Sequence, residues 1–183
     1  MAERTTEIKD MTNVDTHLDY QAVVIGAGVA GIYQIKRLAD LGVRATVLDA
    51  NTDLGGTWYN NRYPGARFDS ESYTYSYSFS KEVLDEWHWT EKFSPQPETL
   101  QYLNFVADKF ELRQYMQFGC WVESMVFDDD ANFWTIRLAD GRELTTRFVI
   151  SAVGVLSTPT LPNFEGMASF EGKSFHASQW PHE

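Results

Sequence analysis

Hydrophobic residues recur along this chain in two rhythms. Tyr20–Ile25 is a short apolar run containing β-branched Val23, Val24 and Ile25 and closed by a glycine, which predicts a buried strand. Gly31–Leu41 then places Ile32, Ile35, Leu38 and Ala39 at the spacing of one helix face, with Gly42 as its C-terminal cap. Val43–Leu48 predicts a second strand that ends in Asp49. Ser80–Trp87 reads as a short helix. Pro97 suits a first turn, and Leu100, Leu103, Val106, Ala107 and Phe110 keep helical spacing to about Leu112. From Gln117 the period shortens. Gln117–Val122, Met125–Phe127, Phe133–Leu138 and Phe148–Val153 predict strands, with turns at Asp128–Asn132 and Asp140–Gly141. Strand, helix and strand followed by a run of strands predicts an α/β domain.

Between these patterned stretches, Asn51–Ser80 has no regular period. It holds Gly55, Gly56, Pro64 and Gly65 among many aromatics, and its aromatic content argues for an ordered loop. Residues 1–19 are polar and unpatterned and read as a flexible leader. Residues 20–160 form the expected domain, and residues 161–183 follow Pro159 as a linker.

Composition narrows the partners. The 183 residues are 43% hydrophobic, enough for one domain with a core. A formal net charge of −11 repels phosphate backbones and argues against nucleic acid. Cys120 is the single cysteine and reads as structural. The four histidines lack metal-ligand spacing, so no metal is expected. The Asp128–Asp130 run is most simply a solvated turn. No apolar run approaches a membrane span, and the start lacks a signal-peptide core, so a soluble cytoplasmic protein without membrane contact is expected.

Candidate chemistry begins at Gly26, Gly28 and Gly31, which spell GxGxxG directly after the first strand. Gly26 suits the tight turn, Gly28 lets backbone approach a pyrophosphate, and Gly31 lets the helix pack close to the strand. The helix aims its free N–H groups and dipole at the phosphates. Asp49 follows at the distance expected of an acidic residue that accepts from an adenosine ribose, and its charge disfavours a 2′-phosphate there. The competing reading, a strand–helix turn that binds nothing, must account for strand, helix and Asp49 all standing in place.

Three further stretches carry a family resemblance. Gly55–Asp69, GGTWYNNRYPGARFD, resembles the Baeyer–Villiger monooxygenase fingerprint [A/G]GxWxxxx[F/Y]P[G/M]xxxD at Gly55, Gly56, Trp58, Tyr63, Pro64, Gly65 and Asp69. Phe170–Pro181, FEGKSFHASQWP, resembles that family's FxGxxxHxxxW[P/D] signature at Phe170, Gly172, His176, Trp180 and Pro181. Val149–Gly154 is similar to the second FAD-contact strand of two-dinucleotide flavoproteins. The resemblance implies a Rossmann-like FAD-binding domain with an inserted antiparallel β-meander, and an NADP domain lying outside this chain. It implies FAD and NADPH as cofactors, a small ketone and O2 as substrates, and the remainder of a monooxygenase as partner. The implied reaction converts the ketone to an ester or lactone through a C4a-peroxyflavin. On the same resemblance the cofactor-binding residues are Gly26, Gly28, Ala30, Gly31, Asp49, Gly55, Gly56, Thr57, Trp58, Arg67, Phe68, Asp69, Tyr75, Val122, Gly154 and Trp180. Asp69, near flavin and nicotinamide, and His176, in the interdomain linker, take the catalytic places. Locally, Trp58 and Tyr75 can wall a flavin ring and Arg67 can pair with a phosphate, while core packing is the plain alternative for each aromatic. A related flavin monooxygenase acting on amines or sulfides, and a flavin-binding module without catalysis, remain as alternatives.

Overall fold

The structure is a computed structural model that describes residues 17–181. Six strands form one sheet in the order β3-β2-β1-β6-β5-β4. They are β1 (Tyr20–Ile25), β2 (Ala45–Leu48), β3 (Met116–Gln117), β4 (Val122–Asp128), β5 (Phe133–Leu138) and β6 (Glu143–Ser151). Strands β3, β2, β1 and β6 run parallel, whereas β6, β5 and β4 form an antiparallel meander. One long strand joins the two parts: β6 pairs with β5 over Glu143–Thr146 and lies beside β1 over Thr146–Ser151.

The apolar run of β1 is continuous because both of its faces are covered. Ala22 and Val24 pack with Ile32 and Ile35 of helix α1 (Val29–Asp40) and with Leu103 and Val106 further along. Val23 and Ile25 point the other way, onto Leu48, Ile136 and Leu138. The period of two within β1 thus sorts its residues into two cores. Three short helices follow: α2 (Thr57–Asn60), α3 (Ser72–Tyr75) and α4 (Lys81–Glu86). Helix α5 (Gln96–Lys109) carries Pro97 in its first turn and buries Thr99, Tyr102, Leu103, Val106 and Ala107.

The structure differs from the sequence expectation in four places. The expected strand Gln117–Val122 is two strands on opposite edges of the sheet. Gly119, at φ +67°, turns the chain between them, and its N–H bonds the carbonyl of Asn51 at 2.7 Å. Strand β6 begins five residues before Phe148, because its polar first half pairs in the meander. Asn51–Ser80 holds two single-turn helices rather than none. The expected leader lies outside the described residues but for His17, Leu18 and Asp19. Leu18 is buried and Asp19 Oδ2 accepts from the Thr145 N–H at 2.8 Å, so both residues belong to the packed domain. From Ala152 to Pro181 no residue is buried.

Candidate nucleotide site

The glycine loop sits where β1 ends and α1 begins, at the carboxyl edge of the parallel strands. A ligand crevice belongs at such an edge in an open α/β sheet. Two glycines of the motif, Gly26 and Gly31, have a steric reason of their own. Gly26 holds φ +104°, and a Cβ there would stand 2.6 Å from the carbonyl oxygen of Ala152. A Cβ on Gly31 would stand 1.8 Å from the carbonyl oxygen of Gly26, so the first turn of α1 packs directly on the loop. Gly28 faces the second glycine motif. A Cβ on Gly56 would come within 2.9 Å of the Gly28 Cα, and the Gly55 N–H bonds the Ala27 carbonyl at 3.0 Å. The two motifs therefore lie backbone against backbone.

Gly28 is the N-cap of α1, no side chain caps the helix, and its first turn holds no acidic residue. The first N–H groups of a helix have no partner within it, and here they stay open at the positive end of the dipole. Ala30 lies exposed in that first turn, and Thr57 opens α2 just past the Gly28–Gly56 contact.

Asp49 closes the site at the tip of β2. It is 6% exposed. Its Oδ2 accepts the Ala27 N–H at 2.6 Å, and its Oδ1 accepts the backbone and side-chain N–H groups of Asn51 at 2.8 and 2.9 Å. Its backbone holds the 117–120 turn: the Asp49 N–H bonds the Gln117 carbonyl, and the Cys120 N–H bonds the Asp49 carbonyl. Val122 follows that turn and packs half-buried on the cluster around Val23 and Leu48. Gly154 stands two residues past Ala152, where β6 reaches Gly26.

The remaining predicted residues are placed differently. Trp58 and Phe68 are buried, and Tyr75 is half-buried beside them. Phe68 and Tyr75 stack at 4.5 Å between centroids, Trp58 meets both edge-on, and the Trp58 indole N–H donates to the Tyr75 hydroxyl at 2.6 Å. Of the two residues expected to wall a flavin ring, Trp58 is therefore buried among its neighbours and Tyr75 is half-buried. Arg67 donates through Nη1 to the Glu91 carboxylate and the Phe93 carbonyl, both at 2.9 Å, and so ties two loops together. Asp69 is exposed, and among the described residues it has no hydrogen-bond or ion-pair partner. His176 caps the 3-10 turn Ala177–Gln179, with Nδ1 accepting the Ser178 N–H at 3.2 Å. Trp180 is 39% exposed and packs on Phe175. Among the described residues, no hydrogen bond or ring contact joins either residue to the glycine loop.

Sequence reasoning passed over Asn51 and Ala27, the two residues that hold Asp49. Neither has a composition signal, because an Asx-type turn and a backbone donor become visible only once the chain is folded. It also passed over Tyr77, whose hydroxyl donates to the Val29 carbonyl at 2.6 Å and anchors the first turn of α1.

A family model described as an NAD(P)-binding Rossmann-like domain matches residues 24–102. A 2-oxo-Δ3-4,5,5-trimethylcyclopentenylacetyl-CoA monooxygenase from Pseudomonas putida is 44% identical, over 87% of this chain and 29% of its own length. A Baeyer–Villiger monooxygenase from Pseudooceanicola batsensis is 38% identical, over 89% of this chain and 30% of its own. Over most of its length the chain is thus similar to the N-terminal part of Baeyer–Villiger monooxygenases. A phenazine N-monooxygenase from Lysobacter antibioticus is also 42% identical, over 92% of this chain and 31% of its own. A solved structure of OTEMO in complex with FAD and NADP superposes with a TM-score of 0.84 at 43% identity, covering 90% of this chain and 31% of that one. The chain spans about a third of the length of the curated relatives it matches. Among the described residues no helix is long and apolar enough to cross a membrane, and no group of three or more histidine, cysteine or acidic residues could hold a metal ion.

Proposed function

We propose that this chain holds FAD for a cytoplasmic, NADPH- and O2-dependent monooxygenase that converts ketones to esters or lactones. One observation carries the reading: the uncapped N-terminus of α1 opens between two glycine motifs packed backbone to backbone, with Asp49 at the neighbouring strand tip. Side chains at Gly28 or Gly56 would fill that seam, and an anionic diphosphate fits both its space and its dipole.

In this reading the α1 N–H groups bind the pyrophosphate and Asp49 takes a ribose hydroxyl. When bound, the flavin supplies the redox and oxygen chemistry, and the protein supplies position and dryness. The Trp58–Phe68–Tyr75 cluster then acts behind the site, holding α2 and hence the Gly55–Gly56 turn in place. Asp69 offers an unpaired carboxylate to a cation from another segment. The exposed apolar residues of the 153–181 segment seat against the remainder of the enzyme.

Titration of the 183-residue chain with FAD, followed by flavin fluorescence, is expected to show binding that Gly28→Val abolishes. Equal binding by both proteins would sink the proposal. For the reaction, residues 20–181 are exchanged into a full-length Baeyer–Villiger relative and products from a cyclic ketone are compared with those from a thioether and a phenazine. Lactone is expected. N-oxide or sulfoxide without lactone would favour an amine or sulfide monooxygenase, the second reading that the phenazine relative supports.

A further inference from the structure

We propose that Asn51 is a positioning residue that locks Asp49 so that one acceptor position alone, on Oδ2, is open to a ribose hydroxyl. The inference rests on the FAD reading above and concerns how its ribose end is held. A carboxylate offers about four acceptor positions across its two oxygens. Three are taken by the chain itself: two on Oδ1 by Asn51 and one on Oδ2 by Ala27. The group is 6% exposed, so the rotation that would free Oδ1 means breaking bonds to a charged acceptor away from water. Asp49 thus arrives already oriented, and the ordering cost on binding is reduced.

Asn51 is well built for this. Its carbonyl accepts the Gly119 N–H at 2.7 Å, so its backbone stays anchored when the side chain is changed. Its own backbone N–H remains on Oδ1, and substitution removes one donor of the three. The same carboxylate joins Asn51 to Ala27 in the glycine loop. The side chain of Asn51 thereby acts on the shape of the phosphate loop through Asp49, without meeting a phosphate.

Two measurements on the 183-residue chain test the lock. The first is residue-resolved amide exchange without flavin. In Asn51→Ala the Ala27 amide is expected to exchange faster, with Val23 and Val24 unchanged. The second is FAD titration, in which Asn51→Ala is expected to bind roughly tenfold more weakly, the loss of one bond to a charged group, and Asn51→Ser, which restores a donor, to recover most of it. Unchanged exchange at Ala27 overturns the lock whatever happens to FAD. Faster exchange with undiminished FAD affinity, or faster exchange spread over the whole of β1, overturns the positioning role. A wild-type chain that binds no FAD overturns the cofactor reading instead, and Ala27 exchange still decides the lock.

Discussion

At the scale of single residues, identical amino acids do different work. Gly31 lies in the first turn of α1 and Gly42 just beyond its last. A methyl group at Gly31 meets the Gly26 carbonyl, a backbone atom that cannot swing aside, whereas nothing lies within 4 Å of a methyl at Gly42, whose only demand is φ +67°. Gly31→Ala is therefore expected to cost about 3 kcal/mol or more of stability through overpacking. Gly42→Ala costs about 1 kcal/mol through left-handed backbone. Thermal or urea unfolding compares the two, and equal losses would contradict the steric assignment. Arg67 provides a second contrast. Its bonds to Glu91 and Phe93 lie at the exposed surface, so Arg67→Ala is expected to cost under about 1 kcal/mol and to leave FAD affinity unchanged. A large loss of affinity would return Arg67 to the phosphate.

At the scale of elements, the irregular stretch 51–80 is held by rings instead of by ladders. Trp58, Phe68 and Tyr75 pack together, and Trp89 continues the cluster toward Tyr102 of α5. The Gln96 side-chain amide donates to the Trp58 carbonyl, joining α5 to α2. Trp58→Ala is expected to cost about 3–5 kcal/mol by opening a cavity there, read by chemical unfolding. Tyr102 is the polar centre of this region. Its buried hydroxyl accepts the Tyr77 N–H at 2.7 Å, and burial pushes its phenol up to about 12 from an ordinary 10.0. The same burial raises Tyr77 further. A phenol whose pKa is raised in the folded state contributes stability fully below its ordinary value, and that contribution is lost as pH climbs to the folded one. Stability at alkaline pH should therefore decline between about pH 10 and 12, and Tyr102→Phe should flatten the decline while lowering stability at neutral pH. An unchanged pH profile in that variant would assign the decline to other groups.

At the scale of the whole molecule, the sheet divides the chain into a closed part and an open one. Up to Ser151 the chain is organised around β1, with apolar cores on both faces. Beyond it, Val155, Leu156, Leu161, Phe164, Phe170 and Phe175 stand exposed on a segment without strands. Backbone that carries few buried contacts opens first. Brief proteolysis is expected to cut within residues 155–181 while leaving the 20–151 core intact, as mass spectrometry of the fragments would show. First cuts inside Asn51–Ser80 would mean that the aromatic cluster does not order that stretch.

Much of this was legible in the primary structure, for a physical reason. Short-range patterning dictated β1, α1, β2 and β5: β1 and β2 bury both faces in unbroken apolar runs, and α1 buries one face at helical spacing. Gly26 and Gly31 of the loop were readable because a tight turn and a close helix leave no room for a Cβ. The family resemblance at Gly55–Asp69 and Phe170–Pro181 was likewise a matter of local spacing. Only the tertiary structure decided which aromatics line a core, that Arg67 meets Glu91, that residues 117–122 part to opposite edges of one sheet, and that Asp49 is held by Asn51 and Ala27. Those are contacts between distant stretches, or bonds to backbone groups. Backbone donors are the same at every residue, and folding alone determines which of them face a carboxylate.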